Sequence, residues 1–116
     1  MTVSVLIVDD HSGFRARARR LLEAEGYAVI GEAANGAQAI RAARALAPDL
    51  VLLDVNLPDT DGFAVAQELT GHADAPAVVI TSTRDAADVA DRVRACGARG
   101  FVPKGELSGA ALTALA

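Results

Sequence analysis

Apolar residues along this chain fall into short unbroken runs, and between the runs they recur every three or four positions. The runs are "VSVLIV" (3–8), "YAVIGEA" (27–33), "DLVLLD" (49–54), "AVVITS" (77–82) and "GFVPK" (100–104). Continuous β-branched and aliphatic stretches of this length, without polar alternation, predict strands covered on both faces. The intervening segments read as helices. Positions 14, 18, 21 and 22 predict a helix over 13–25, capped by Ser12 and stopped at Gly26. After a turn at Asn35-Gly36, "AQAIRAARALA" predicts a helix ended before Pro48 by the extended preference of a pre-proline residue. "FAVAQELT", "RDAADVADRVRAC" ending at Gly97, and "ELSGAALTALA" complete the series. The last runs to Ala116 with no capping residue, so it is expected to be short or truncated.

Strict alternation of strand and helix calls for parallel strands joined by right-handed crossovers, with helices on both faces. The expected fold is therefore α/β, a doubly wound five-stranded parallel sheet of order 2-1-3-4-5, flavodoxin-like, formed by residues 1–116 as one domain. A chain of 116 residues is long enough to bury a continuous core. Its hydrophobic share of 52% and charged share of 22% are those of a globular protein rather than a disordered one.

Charge and cysteine content narrow the function classes. No apolar stretch approaches the ~20 residues that span a bilayer, and no basic leader precedes a cleavage site, so a cytoplasmic protein without a membrane partner is expected. Cys96 is the single cysteine, which excludes an intrachain disulfide, a CxxC pair and a cysteine zinc cluster. It shares a helix face with Val89 and Val93, the pattern of a packed core thiol. The net charge of −4 argues against direct nucleic-acid binding. Most arginines of "FRARARR" fall on the solvated side of the first helix.

The distinctive chemistry lies at the strand ends. "VSVLIVDD" closes on Asp9 and Asp10, and "LLDVNLPDTDG" places Asp54 directly after a buried run. Asp9 and Asp10 alone would read as acids favourable at a helix N-terminus. With strands one and three adjacent, about 4.8 Å apart across the reversal of strand order, all three acids converge where such sheets build their sites. Their repulsion is relieved by protonation or by a cation. An all-oxygen donor set favours the hard ions Mg²⁺ or Mn²⁺, and Mg²⁺ with few carboxylates suits phosphate chemistry. Strand four ends in the hydroxyls of Thr81, Ser82 and Thr83. Strand five ends at Lys104, the only lysine, able to pair with Asp54 or with a phosphoryl oxygen. Carboxylate nucleophile, metal, hydroxyl and ammonium together make a phosphoryl-transfer site with Asp54 as acceptor.

At these residues the chain resembles the receiver domain of two-component response regulators, over essentially its whole length. "VLIVDDH", "PDLVLLDVNLPDTDG", "VVITSTRD" and "GARGFVPK" stand in that family's order, and "VDDHSGFR" is similar to receivers whose output is a helix-turn-helix DNA-binding domain. The resemblance implies that Asp54 is the phosphoacceptor. It implies that Asp10, Asp54 and the Asn56 carbonyl hold Mg²⁺, with Asp9 acting through water. Ser82 matches the switch hydroxyl, at the family's usual spacing ahead of Lys104, and Phe101 matches the aromatic switch position. A histidine kinase or phosphotransfer protein is then the donor, and the domain catalyses its own phosphorylation and dephosphorylation rather than a metabolic reaction. Phosphorylation would reshape the surface of helix four, strand five and helix five, read by a homodimer partner or an output domain controlling transcription. DNA would be met only through that output domain.

One departure stands out. Lys104 is followed by Gly105 where the family commonly carries proline, and Pro103 precedes it. Other residues take plainer readings: His11 as a neighbour of the metal ligands or a solvent-facing side chain, His72 as a loop residue, and Asp59 and Asp61 as turn acids. Pro58 and Gly62 shape the turn presenting the Asn56 carbonyl. By analogy Asn56 and Arg84 flank the phosphoryl group and tune hydrolysis. Two other functions fit less of the sequence. A small aspartyl-phosphate phosphatase or phosphotransferase needs a substrate pocket and a general acid that 116 residues leave little room for. A docking module independent of phosphorylation has no motive while every site residue is present. Nucleotide-binding GxxxxGK[ST] and GxGxxG motifs do not occur.

Overall fold

Residues 2–83 and 86–115 are described in a computed structural model of the chain. The elements follow as β1 (Ser4–Val8), α1 (Ser12–Ala24), β2 (Ala28–Ala33), α2 (Gly36–Leu46), β3 (Leu50–Asp54), α3 (Gly62–Thr70), β4 (Ala77–Ser82), α4 (Ala86–Ala95), β5 (Gly100–Pro103), a 3₁₀ turn (Lys104–Glu106) and α5 (Gly109–Leu115). The five strands form one sheet in the order β2-β1-β3-β4-β5, and every ladder is parallel. The predicted fold class and strand order are those observed.

Successive strand residues serve opposite faces, which is why the runs are apolar throughout. Val5 and Ile7 of β1, with Leu50 and Leu52 of β3, pack against Phe14, Leu22 and Leu112 from α1 and α5. Leu6 and Val8, with Val51 and Leu53, face the side of α2, α3 and α4, where Phe63, Leu69, Val89, Val93 and Cys96 are buried. Each fully buried aliphatic side chain contributes roughly 1.5–3 kcal/mol. Two cores of this kind fix the sheet between its helices and set where its carboxyl edge opens.

Several helix ends differ from the sequence reading. Helix α1 begins at Ser12 itself, with His11 in the N-cap position and no side-chain capping bond, so Ser12 is not the cap. The His11 N–H is instead turned to Asp9 Oδ1, 2.8 Å away. Gly26, with φ +93°, ends the helix region as expected. Asn35-Gly36 is not a free turn: Asn35 is the N-cap of α2, accepting from the Gln38 N–H at 2.9 Å. Helix α2 stops before Pro48, but through a left-handed Ala47 (φ 47°, ψ 58°) rather than an extended one, its N–H still bonded to the Ala43 carbonyl. Leu21 is only partly buried. The predicted fifth strand ends one residue early, so Lys104 opens the 3₁₀ turn, and the last helix starts at Gly109 rather than near Glu106.

Candidate functional site

The carboxyl ends of β1 and β3 lie side by side, with Val8 paired to Leu53, and Asp54 pairs across to Thr81 of β4. Strand geometry alone thus brings the acids of two distant segments to one edge. Asp9 is fully buried, Asp54 is 3% exposed, and Asp10 lies at the surface. Asp9, Asp10, His11 and Asp54 each offer a ligand atom, and these atoms lie within 4.8 Å of one another.

Asp9 is the most heavily engaged. Its Oδ1 accepts from the His11 N–H at 2.8 Å and lies 3.2 Å from His11 Nδ1. Its carbonyl accepts from Arg15 Nη1 at 2.6 Å, and Arg15 Nε reaches Glu32 at 3.0 Å. Burial works to raise the Glu32 pKa, but hydrogen bonds and charge from Arg19 and Arg15 outweigh it and hold the carboxyl below its ordinary range. Arg15 is therefore not a purely solvated arginine. The helical period put it on the polar side, and nothing in the spacing revealed that this side meets the β1 terminus. His11 Nδ1 also lies 3.0 Å from Asp10 Oδ1, with the imidazole largely in solvent.

Lys104 reaches into the cluster from beyond β5. Its Nζ is 2.6 Å from Asp9 Oδ2 and 3.4 Å from Asp54 Oδ2, so the closer partner is Asp9 rather than Asp54. Asp9 Oδ2 is buried and, among the described residues, takes no directed hydrogen bond; the ammonium holds it by charge. Burial raises the Asp54 pKa and the Asp9 charge raises it further, while Lys104 and the Asn56 N–H pull the other way without cancelling the rise. An undirected buried carboxylate oxygen beside a second carboxylate that resists ionising is a donor set suited to a hard divalent cation. Asp9, Asp10 and Asp54 are the residues able to hold one.

The loop after β3 is shaped by contacts at short range. Asn56 and Asp61 form an isolated antiparallel bridge, and the Gly62 N–H donates to the Val55 carbonyl at 2.7 Å. A Cβ on Gly62 would stand 2.1 Å from the Asp54 carbonyl oxygen, so only glycine lets the loop fold against the strand end. Asp61 caps α3, accepting from Ala64 N–H at 2.8 Å. Asp59 is more than a turn acid. It accepts from the N–H groups of Gly36 and Ala37 at 2.8 and 3.0 Å, bonds that hold its carboxyl below the usual range. It thereby ties this loop to the start of α2, a contact between distant segments that local sequence could not reveal.

Thr81 and Ser82 are fully buried at the end of β4, whereas Thr83 is exposed. Among the described residues, Thr81 Oγ1 has no hydrogen-bond partner. Ser82 stands in register with Pro103 and Phe101 with Ile80; Phe101 is half-buried against the core under α4. Arg84 lies outside the described residues. The structure thus brings Asp9, Asp10, Asp54 and Lys104 into one cluster, with Ser82 and Phe101 on the adjoining strands.

A family model described as the response regulator receiver domain matches residues 5–115. The chain belongs to this receiver-domain family. A candidate transcriptional regulator of Pseudomonas aeruginosa is 42% identical over 102 residues, 88% of this chain and 49% of that protein. The transcriptional regulatory protein PdtaR of Mycobacterium tuberculosis is 37% identical over 100 residues, 86% of this chain and 48% of that protein. The chain spans about half the length of these curated relatives. Among solved structures, a LuxR-family two-component response regulator from Aurantimonas sp. superposes with a TM-score of 0.88 at 32% identity, covering 99% of this chain and 86% of that one. Among the described residues of this receiver domain, no helix is long and apolar enough to cross a membrane.

Proposed function

We propose that this receiver domain is a phosphorylation-activated switch, with Asp54 accepting a phosphoryl group from a histidine kinase or phosphotransfer protein in the cytoplasm. The observation that carries the reading is a buried Asp54 at the switch point of the sheet, beside Asp9, with the Lys104 ammonium 3.4 Å away. In the transfer, an Asp54 carboxylate oxygen bonds to phosphorus as the bond from phosphorus to the donor's imidazole nitrogen breaks. The imidazole leaves with the electron pair. Lys104, already among the acids, neutralises charge on a phosphoryl oxygen, and the Ser82 hydroxyl donates to another. Asp10, Asp54 and the Asn56 carbonyl, with Asp9 through a water, would hold Mg²⁺ or Mn²⁺, which would supply further neutralisation of charge on the phosphoryl oxygens.

The added charge then biases the packing of Ser82 and Phe101 and alters the surface of α4, β5 and α5. A second copy of the chain or an output domain reads that surface. Transcriptional output is supported by the relatives that act as transcription regulators and are about twice as long. Contact with DNA is assigned to the output domain and not to this one.

Incubation with acetyl phosphate and Mg²⁺ is expected to add one phosphoryl group by mass to the wild type and none to Asp54→Ala, and beryllofluoride should shift resonances near Ser82 and Phe101. Equal modification of the two proteins would remove Asp54 as the acceptor.

A further inference from the structure

Lys104 has an aromatic neighbour that none of the roles above uses. Its Nζ lies 4.6 Å from the centroid of the Phe14 ring, within the range of a cation–π interaction. Phe14 is 6% exposed and belongs to the core beneath α1 and α5, so the ring is fixed in place. Arg17 approaches the same ring at 5.8 Å, farther than the lysine does. Gly105 follows Lys104 directly in the 3₁₀ turn and brings no side chain to confine it; a Cβ there would meet nothing within 4 Å.

We propose that Phe14 is a positioning residue for Lys104, its ring confining the ammonium to the side facing Asp9 and Asp54, where the glycine after the lysine contributes no side chain to do so. A lysine has four rotatable side-chain bonds, and its charge prefers water. Here its charge-bearing end is held from three directions, by Asp9 at 2.6 Å, Asp54 at 3.4 Å and the ring at 4.6 Å. When a phosphoryl group is transferred to Asp54, that carboxylate becomes an acyl phosphate and its contact with the ammonium is replaced. The ring is neutral before and after, so its hold on the ammonium does not depend on the charge at Asp54. The inference rests on Asp54 being the phosphoacceptor.

Two substitutions separate the ring from its bulk. Phe14→Leu keeps an apolar side chain in the core without a π face; Phe14→Tyr keeps the face. Because Lys104 is the only lysine, labelling with ¹³C-lysine gives one set of side-chain signals. Their ε-methylene protons are expected to show an upfield ring-current shift in the wild type and Phe14→Tyr, lost in Phe14→Leu. The rate of Asp54 modification by acetyl phosphate should fall about three- to tenfold in Phe14→Leu and return towards wild type in Phe14→Tyr, the range a partly desolvated cation–π contact supports. Wild-type signals without the ring-current shift, or a Phe14→Leu rate equal to wild type, would overturn the inference and leave the assignment of Asp54 standing. A wild type that acetyl phosphate leaves unmodified would remove both. A thermal melt of each variant separates loss of rate from loss of fold.

Discussion

At the scale of single residues, the site is a contest between burial and charge. Asp54 is removed from water and set beside Asp9, and Lys104 offsets only part of the cost. Its raised pKa makes stability depend on pH in a defined direction. As pH rises from the ordinary carboxylate range, the unfolded chain releases the Asp54 proton first, so the folded state loses ground until pH passes the raised value. In metal-free buffer, Asp54→Asn is therefore expected to be more stable than wild type at neutral pH, by about 1–2 kcal/mol, with the advantage shrinking as the solution is acidified into the ordinary carboxylate range. Urea melts of both proteins across pH 3–8 check this. A gain that grew on acidification would contradict the raised pKa. The place of Asp54, Asp10 and Lys104 at the ends of strands was legible in the sequence, because each is an ionisable side chain at the close of an apolar run. The contacts of Arg15 and Phe14 were not, because a helical period sorts side chains into inward and outward without saying what lies opposite.

At the scale of elements, strands were easier to read than helix ends. Five apolar runs gave five strands within a residue or two, since burial on both faces leaves little freedom in composition. Helix termini depend on which group happens to reach the free N–H donors. Asn35 accepts from Gln38 N–H, while the Gln38 side chain accepts in return from Ala34 N–H at 2.9 Å. This reciprocal pair makes a capping arrangement of "ANGAQ". Asn35→Ala is expected to destabilise the protein by about 1 kcal/mol, and Asn35→Asp to restore most of it, measured by chemical denaturation. A full effect in both variants would point to a role for Asn35 other than capping. Asp59 caps the same helix from another part of the chain, and Arg92 of α4 reaches both Asp61 (3.4 Å) and the Phe63 ring (4.2 Å) at the start of α3. These contacts join elements that are distant in sequence, which is why "PDTDG" read only as a turn.

At the scale of the whole molecule, the parallel sheet turns scattered acids into one cluster. If Asp9, Asp10 and Asp54 hold a divalent ion only in the folded state, binding must stabilise that state. Mg²⁺ at about a hundred times its Kd is expected to add about 2.7 kcal/mol, raising Tm by several degrees, and Asp10→Asn should lose most of that gain. An unchanged wild-type Tm on titration with Mg²⁺ and Mn²⁺ would count against the cluster as a metal site. The sequence by itself determined the strand runs, the alternation that requires a doubly wound sheet, and the acids and lysine that end the strands. Those features are local, written in burial and in the chemistry of single side chains. Only the tertiary structure decided that Lys104 lies closer to Asp9 than to Asp54, that Asp59 caps α2, and that Phe14 sits beneath the ammonium. The physical reason is that a side chain's partner is fixed by where separate segments pack, and packing distances of a few ångströms are not encoded in the period of any one segment.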